Sequence, residues 1–87
     1  MSGLAPHLFP FVVDVREIVD RAWSIQVIRA DGIPFVPIDA GTERTGWAAL
    51  PELDQWLELL GYARTGPWVA GQVLGSYKTT VGPADGA

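Results

Sequence analysis

The chain reads as an α+β domain, with an antiparallel sheet of about four strands packed by one main helix near residues 50–60. Three observations predict this. Segments rich in valine and isoleucine flank an Asp31-Gly32 pair. A leucine-rich stretch at helical spacing follows them. The 87 residues are 48% hydrophobic and 18% charged, which suits a single small domain with a core and argues against disorder. The compact unit is expected to span residues 11–81. Residues 1–10, with Gly3, Pro6 and Pro10, and residues 82–87 (GPADGA) are expected to be mobile tails.

Residues 11–30 admit two periods. At 3.6-residue spacing, Phe11, Val12, Val15, Ile18, Val19, Ala22 and Trp23 form one stripe, and Asp14 and Glu17 stand like a capping box. At a period of two, Val13, Val15, Val19, Trp23, Ile25 and Val27 share a face, interrupted by Glu17 and Arg21. The valine and isoleucine content favours extended chain. The reading adopted is a strand near 11–15, a short helix or turn across 16–22, and a strand over 23–29. No Gly or Pro marks a break between Val19 and Ser24.

Asp31-Gly32 then supplies the positive φ angles that a tight hairpin turn demands. The second arm, residues 33–38, carries Pro34 and Pro37, which cannot donate to a ladder, so it is expected at a sheet edge. Residues 39–46 (DAGTERTG) form a polar loop whose backbone amides could cradle an anion, although no Gly-Lys-Ser/Thr pattern follows.

The helix follows. Pro51 suits its first position, and Glu52 and Asp54 sit near the positive end of its dipole. Leu53, Trp56, Leu57 and Leu60 form one apolar face. Gly61 is placed to end the helix, with Tyr62 folding back and Arg64 complementing the negative end. Beyond a turn at 65–67, residues 68–74 and 76–81 read as strands bent at Gly71 and Gly75.

Composition narrows the function classes. Cysteine is absent, which removes disulfides, thiolate metal sites and thiol redox chemistry. A secreted domain this small often needs disulfide staples, so a cytoplasmic location is expected. No apolar run approaches the roughly 20 residues of a membrane span, so no membrane association is expected. The net charge is −4 and the basic residues are scattered singly, which disfavours nucleic acid as a partner. The only histidine, His7, lies in the proline-flanked N-terminal tail, and no serine sits on a nucleophile-elbow pattern. Catalytic residues, metal ligands and cofactors are therefore not expected.

What remains is a surface around the helix. Glu52, Asp54 and Glu58 project from it with no basic partner within it. Arg44-Thr45-Gly46-Trp47 precedes it and Arg64-Thr65-Gly66-Pro67-Trp68 follows it. A ten-residue helix spans about 15 Å, so one arginine and one tryptophan would flank each end. Trp and Arg are enriched at binding hot spots. Of the four tryptophans, Trp23 and Trp56 fit apolar patterns, whereas Trp47 and Trp68 border glycine-rich turns and are expected to be partly exposed. Arg44, Trp47, Glu52, Asp54, Glu58, Arg64 and Trp68 thus form the candidate partner-binding set. The expectation is a small non-enzymatic protein-binding module acting stoichiometrically as a regulator, inhibitor or adaptor. Small acidic chains poor in catalytic side chains are frequent among phage accessory proteins and bacterial regulators. The alternatives are a self-associating structural, virion or shell component and a nucleic-acid-binding protein.

Overall fold

The structure is a computed structural model and describes residues 11–84. The tail expected at 1–10 and the last three residues of the tail expected at 82–87 lie outside the described residues. Six strands, β1 (Phe11–Val19), β2 (Ala22–Ile28), β3 (Ile38–Gly41), β4 (Tyr62–Arg64), β5 (Val69–Ala70) and β6 (Ser76–Pro83), surround one helix, α1 (Leu50–Leu59). The strands run in the order β3-β2-β1-β6-β4, with β5 on the same edge of β6 as β4, and every pairing is antiparallel. The α+β class therefore holds, with six strands in place of about four.

The period of two decides the ambiguous segment. Phe11, Val13 and Val15 of β1 and Trp23, Ile25 and Val27 of β2 are buried on one face. Leu50, Leu53 and Leu57 of α1 close the same core, joined by Ala40, Ala49, Tyr77 and Val81. Each fully buried aliphatic side chain contributes about 1.5–3 kcal/mol. The buried face of α1 starts earlier than expected, at Leu50, while Trp56 and Leu60 are half-buried.

Residues 16–22 are not a helix. β1 runs to Val19 and turns at Asp20 and Arg21. Arg21 takes the left-handed conformation (φ 63°) that glycine usually supplies. Three contacts hold it there: its N–H donates to Glu17 Oε2 at 2.9 Å, its carbonyl accepts from Thr42 N at 3.0 Å, and its guanidinium meets Asp20 at 3.3 Å. The ladder slips between Glu17 and Val19, which turns Val19 out to 64% exposure instead of leaving it with Val13 and Val15.

The Asp31-Gly32 turn is present: Gly32 has φ 87° and its N–H donates to Arg29 O at 2.8 Å. The arm after it is not a strand. Pro34 and Pro37 lack N–H groups, so residues 33–37 make a single bridge, Ile28 to Pro34, and regular pairing with β2 resumes at Ile38. The edge strand is therefore Ile38–Gly41, which takes up the first part of the expected polar loop.

On the other side of the sheet the expected strand over 68–74 shrinks to Val69–Ala70. Gly71 N donates to Ser76 O at 2.8 Å across the turn, and a Cβ on Gly71 would collide with the Ser76 side chain, so only glycine fits there. Buried Ser76 fixes the turn, donating from Oγ to Val73 O at 2.5 Å and accepting from Val73 N at 3.2 Å. Gly61 ends the helix at φ 96°, and the three-residue β4 then pairs with the last residues of β6. β6 runs two residues beyond the expected boundary, to Pro83. Among the described residues no helix is long and apolar enough to cross a membrane.

Candidate functional site

Glu17 organises one end of the molecule. Besides the Arg21 amide, its carboxylate accepts a short hydrogen bond from Thr45 Oγ1 and a 3.3 Å bond from Gly46 N. The Thr45 hydroxyl, followed by the two backbone amides, holds the Glu17 carboxyl below the ordinary glutamate range, against the opposing effect of partial burial. Glu17 N also donates to Gly75 O at 3.0 Å. Three segments distant in sequence, the β1–β2 turn, residues 45–46 and the β5–β6 turn, are thereby tied together.

This end is apolar on its outside. Trp47 follows Gly46 in a single 3-10 turn, Gly46–Ala49, and rests edge-on against Tyr77, with ring centroids 4.7 Å apart. Trp47 is 56% exposed, and among the described residues its indole N–H has no hydrogen-bond partner. Val73 and Leu74 stand across from it on the β5–β6 turn, Leu74 fully exposed. Trp47, Val73, Leu74 and Tyr77 line an open recess of about 420 Å³. Ile18 and Val19, both more than half exposed, lie at this end of β1.

The seven residues expected to bind a partner separate into distinct environments. Trp47 lies on the recess just described, and Arg44, exposed, precedes it by three residues with no partner for its guanidinium among the described residues. Glu52 faces inward to the loop: its two carboxylate oxygens accept from Glu43 N at 2.7 Å and Arg44 N at 3.0 Å. The amides considered for an external anion are thus occupied by the chain's own carboxylates, Glu52 and Glu17. Asp54, Arg64 and Trp68 come together. Asp54 accepts from Arg64 Nε at 2.7 Å, Arg64 Nη2 at 3.2 Å and Trp68 Nε1 at 2.9 Å. Arg64 therefore pairs with a carboxylate of the helix and does not cap its C-terminus. Glu58 is exposed. Trp68 is half-buried against the core.

Sequence reasoning missed Val73, Leu74, Ile18 and Val19 as surface residues. Val73 and Leu74 read as part of a strand over 68–74, and Ile18 and Val19 as part of a short helix or turn; the ladder slip between Glu17 and Val19 and the Ser76-fixed turn leave all four exposed. Among the described residues no group of three or more His, Cys, Asp or Glu is placed to hold a metal ion. Compared with protein-family models, with curated proteins and with solved structures, the chain matches none.

Proposed function

We propose that this chain is a small non-enzymatic binding module that engages a protein partner stoichiometrically, in the cytoplasm, through the end built around Trp47. The observation that carries this reading is the pairing of exposed Trp47 with fully exposed Leu74 across one recess. Clustered exposed apolar groups of this kind mark interaction sites on soluble domains, and tryptophan is the residue most enriched among binding hot spots. The recess is also held in shape before any partner arrives. Glu17 and Ser76 anchor both of its walls, so less side-chain and loop entropy is lost on association. Arg44, three residues before Trp47, adds an exposed cationic group whose guanidinium has no partner among the described residues.

The test is affinity capture from the source cell with wild type, Trp47→Ala and Leu74→Ser proteins. A stoichiometric partner should be held by wild type and weakened about 30-fold or more by Trp47→Ala, as for a hot-spot residue. Equal recovery by all three proteins rejects this surface. Failure of wild type to hold any stoichiometric partner rejects the module. Self-association through the same end is the second reading, favoured by the complete exposure of Leu74. Light scattering at high micromolar concentration separates the two, because only self-association gives a dimer that Leu74→Ser returns to monomer.

A further inference from the structure

The sheet face opposite the helix is polar in its centre. Strand register places Lys78 of β6 and Gln26 of β2 on either side of Asp14 in β1. Two residues along β1, Arg16 stands between Ser24 and Ser76. Directly opposed side chains start about 4.5–5.5 Å apart, and diagonal ones about 7–8 Å. Two cationic groups, one carboxylate and several neutral donors and acceptors are thus gathered within the span of one small molecule. The β5–β6 turn at Gln72 and Val73 walls this face on one side and Pro37 on the other, enclosing about 330 Å³.

The charges in this trough do not satisfy one another. Asp14 and Lys78 are directly opposed and half-buried, yet they make no ion pair. Among the described residues the side chains of Asp14, Arg16, Ser24, Gln26 and Lys78 make no hydrogen bond or ion pair at all. Elsewhere Arg64 pairs with Asp54, Arg29 with Asp31, and Glu17 with three donors, while the side chains of Asp39, Glu43, Arg44 and Glu58 make no pair among the described residues. Arg16 is exposed and Asp14, Ser24, Gln26 and Lys78 are half-buried, so these groups face solvent in the free protein and stay available to a ligand.

We propose that this trough binds a small amino-carboxylate, a molecule of amino-acid size that carries a carboxylate and an ammonium group. The carboxylate is held between Arg16 and Lys78, and the ammonium faces Asp14, with Gln26 and Ser24 completing the hydrogen bonds. The charge balance selects this class. Two cations attract a carboxylate, and the single carboxylate between them would repel a plain dianion while accepting a donor. The volume lies at the low end of ligand sites, which fits a metabolite and not a cofactor. The trough adjoins the Trp47 recess, sharing Gln72, Val73 and Ser76 of the β5–β6 turn, but its charged groups Asp14, Arg16 and Lys78 do not line that recess.

The experiment is an amide-resolved NMR titration of the full chain with L-glutamate, and in separate arms with succinate and with putrescine. L-glutamate should produce saturable shifts at Asp14, Arg16, Ser24, Gln26, Gln72 and Lys78, with Kd near 1 mM or tighter. Succinate and putrescine should each bind about tenfold or more weakly, since each leaves one set of charges without a counterpart. Arg16→Gln and Asp14→Asn should each weaken L-glutamate by about tenfold, whereas Trp47→Ala should leave it unchanged. No saturable response of wild type to L-glutamate at tens of millimolar overturns the proposal, whatever the variants do. Succinate binding as tightly as L-glutamate overturns the role of Asp14 and with it the amino-carboxylate class.

Discussion

Arg44-Thr45-Gly46-Trp47 and Arg64-Thr65-Gly66-Pro67-Trp68 are near copies in sequence and opposites in structure. In the second, arginine and tryptophan both donate to Asp54, and the indole packs on the core. In the first, the arginine head and the indole N–H have no partner among the described residues, and the ring stands out over Tyr77. The difference lies in the carboxylate each segment meets. Asp54 on α1 presents its side chain to Arg64 and Trp68, whereas Glu52, which faces the first segment, is occupied by the backbone amides of Glu43 and Arg44. The threonines diverge as well. Thr45 donates to Glu17, while Thr65 donates to Thr80 across the edge of β6. One segment has become a clasp and the other an exposed surface, so the same residue types are paired at one end of the helix and open to solvent at the other.

The strongest way to break this comparison is to truncate both tryptophans. Trp68→Ala should cost about 2 kcal/mol in urea unfolding, below the ~3–5 kcal/mol of a fully buried aromatic because Trp68 is only half-buried. Trp47→Ala should cost under ~1 kcal/mol, as for an exposed side chain. Equal losses would show that both tryptophans serve the core.

Removing the shared acceptor gives a smaller effect. Asp54→Ala leaves the Trp68 indole N–H and the Arg64 guanidinium without their acceptor and should cost about 1 kcal/mol. Glu58→Ala on the same helix should stay within ~0.5 kcal/mol. A double-mutant cycle of Asp54→Ala with Arg64→Ala should show coupling of about 0.5–1 kcal/mol, since both side chains are about one third exposed (31% and 33%). No coupling would mean that the indole alone makes the clasp.

The smallest effect is the response to pH at the Trp47 end. The Glu17 carboxyl is held below its ordinary value of 4.5, chiefly by Thr45. Its contribution to stability is therefore complete above that value and is lost as pH falls through the lower folded value. Wild type should lose stability on acidification below about pH 4.5, and Glu17→Gln should flatten that slope. An unchanged slope in Glu17→Gln, measured by urea unfolding from pH 6 to pH 3, would show that the carboxylate does not hold the three segments together.

Part of this arrangement is legible in the residues themselves. The helix announces itself through Pro51, the leucine spacing and Gly61, because each acts within a turn or two of chain. Asp31-Gly32 specifies its turn for the same reason. The Arg21 turn carries no such signal, since its left-handed residue is held by Glu17 and Thr42 and not by its own side chain. β4 is equally silent, being three residues long and recognisable only by pairing with Gly82 and its neighbours.

By itself, then, the sequence determined the α+β class, the helix near residues 50–60 and the strand character of residues 11–15 and 23–28. Tertiary structure alone decided that Val73 and Leu74 face outward, that Asp54 closes one tryptophan-arginine pair, and that Asp14, Arg16 and Lys78 share a trough without pairing among the described residues. The reason is range. Backbone propensity and helical spacing act between near neighbours, whereas exposure and partner choice depend on groups brought together across the chain, Glu17 with Thr45 over 28 positions and Asp54 with Trp68 over 14.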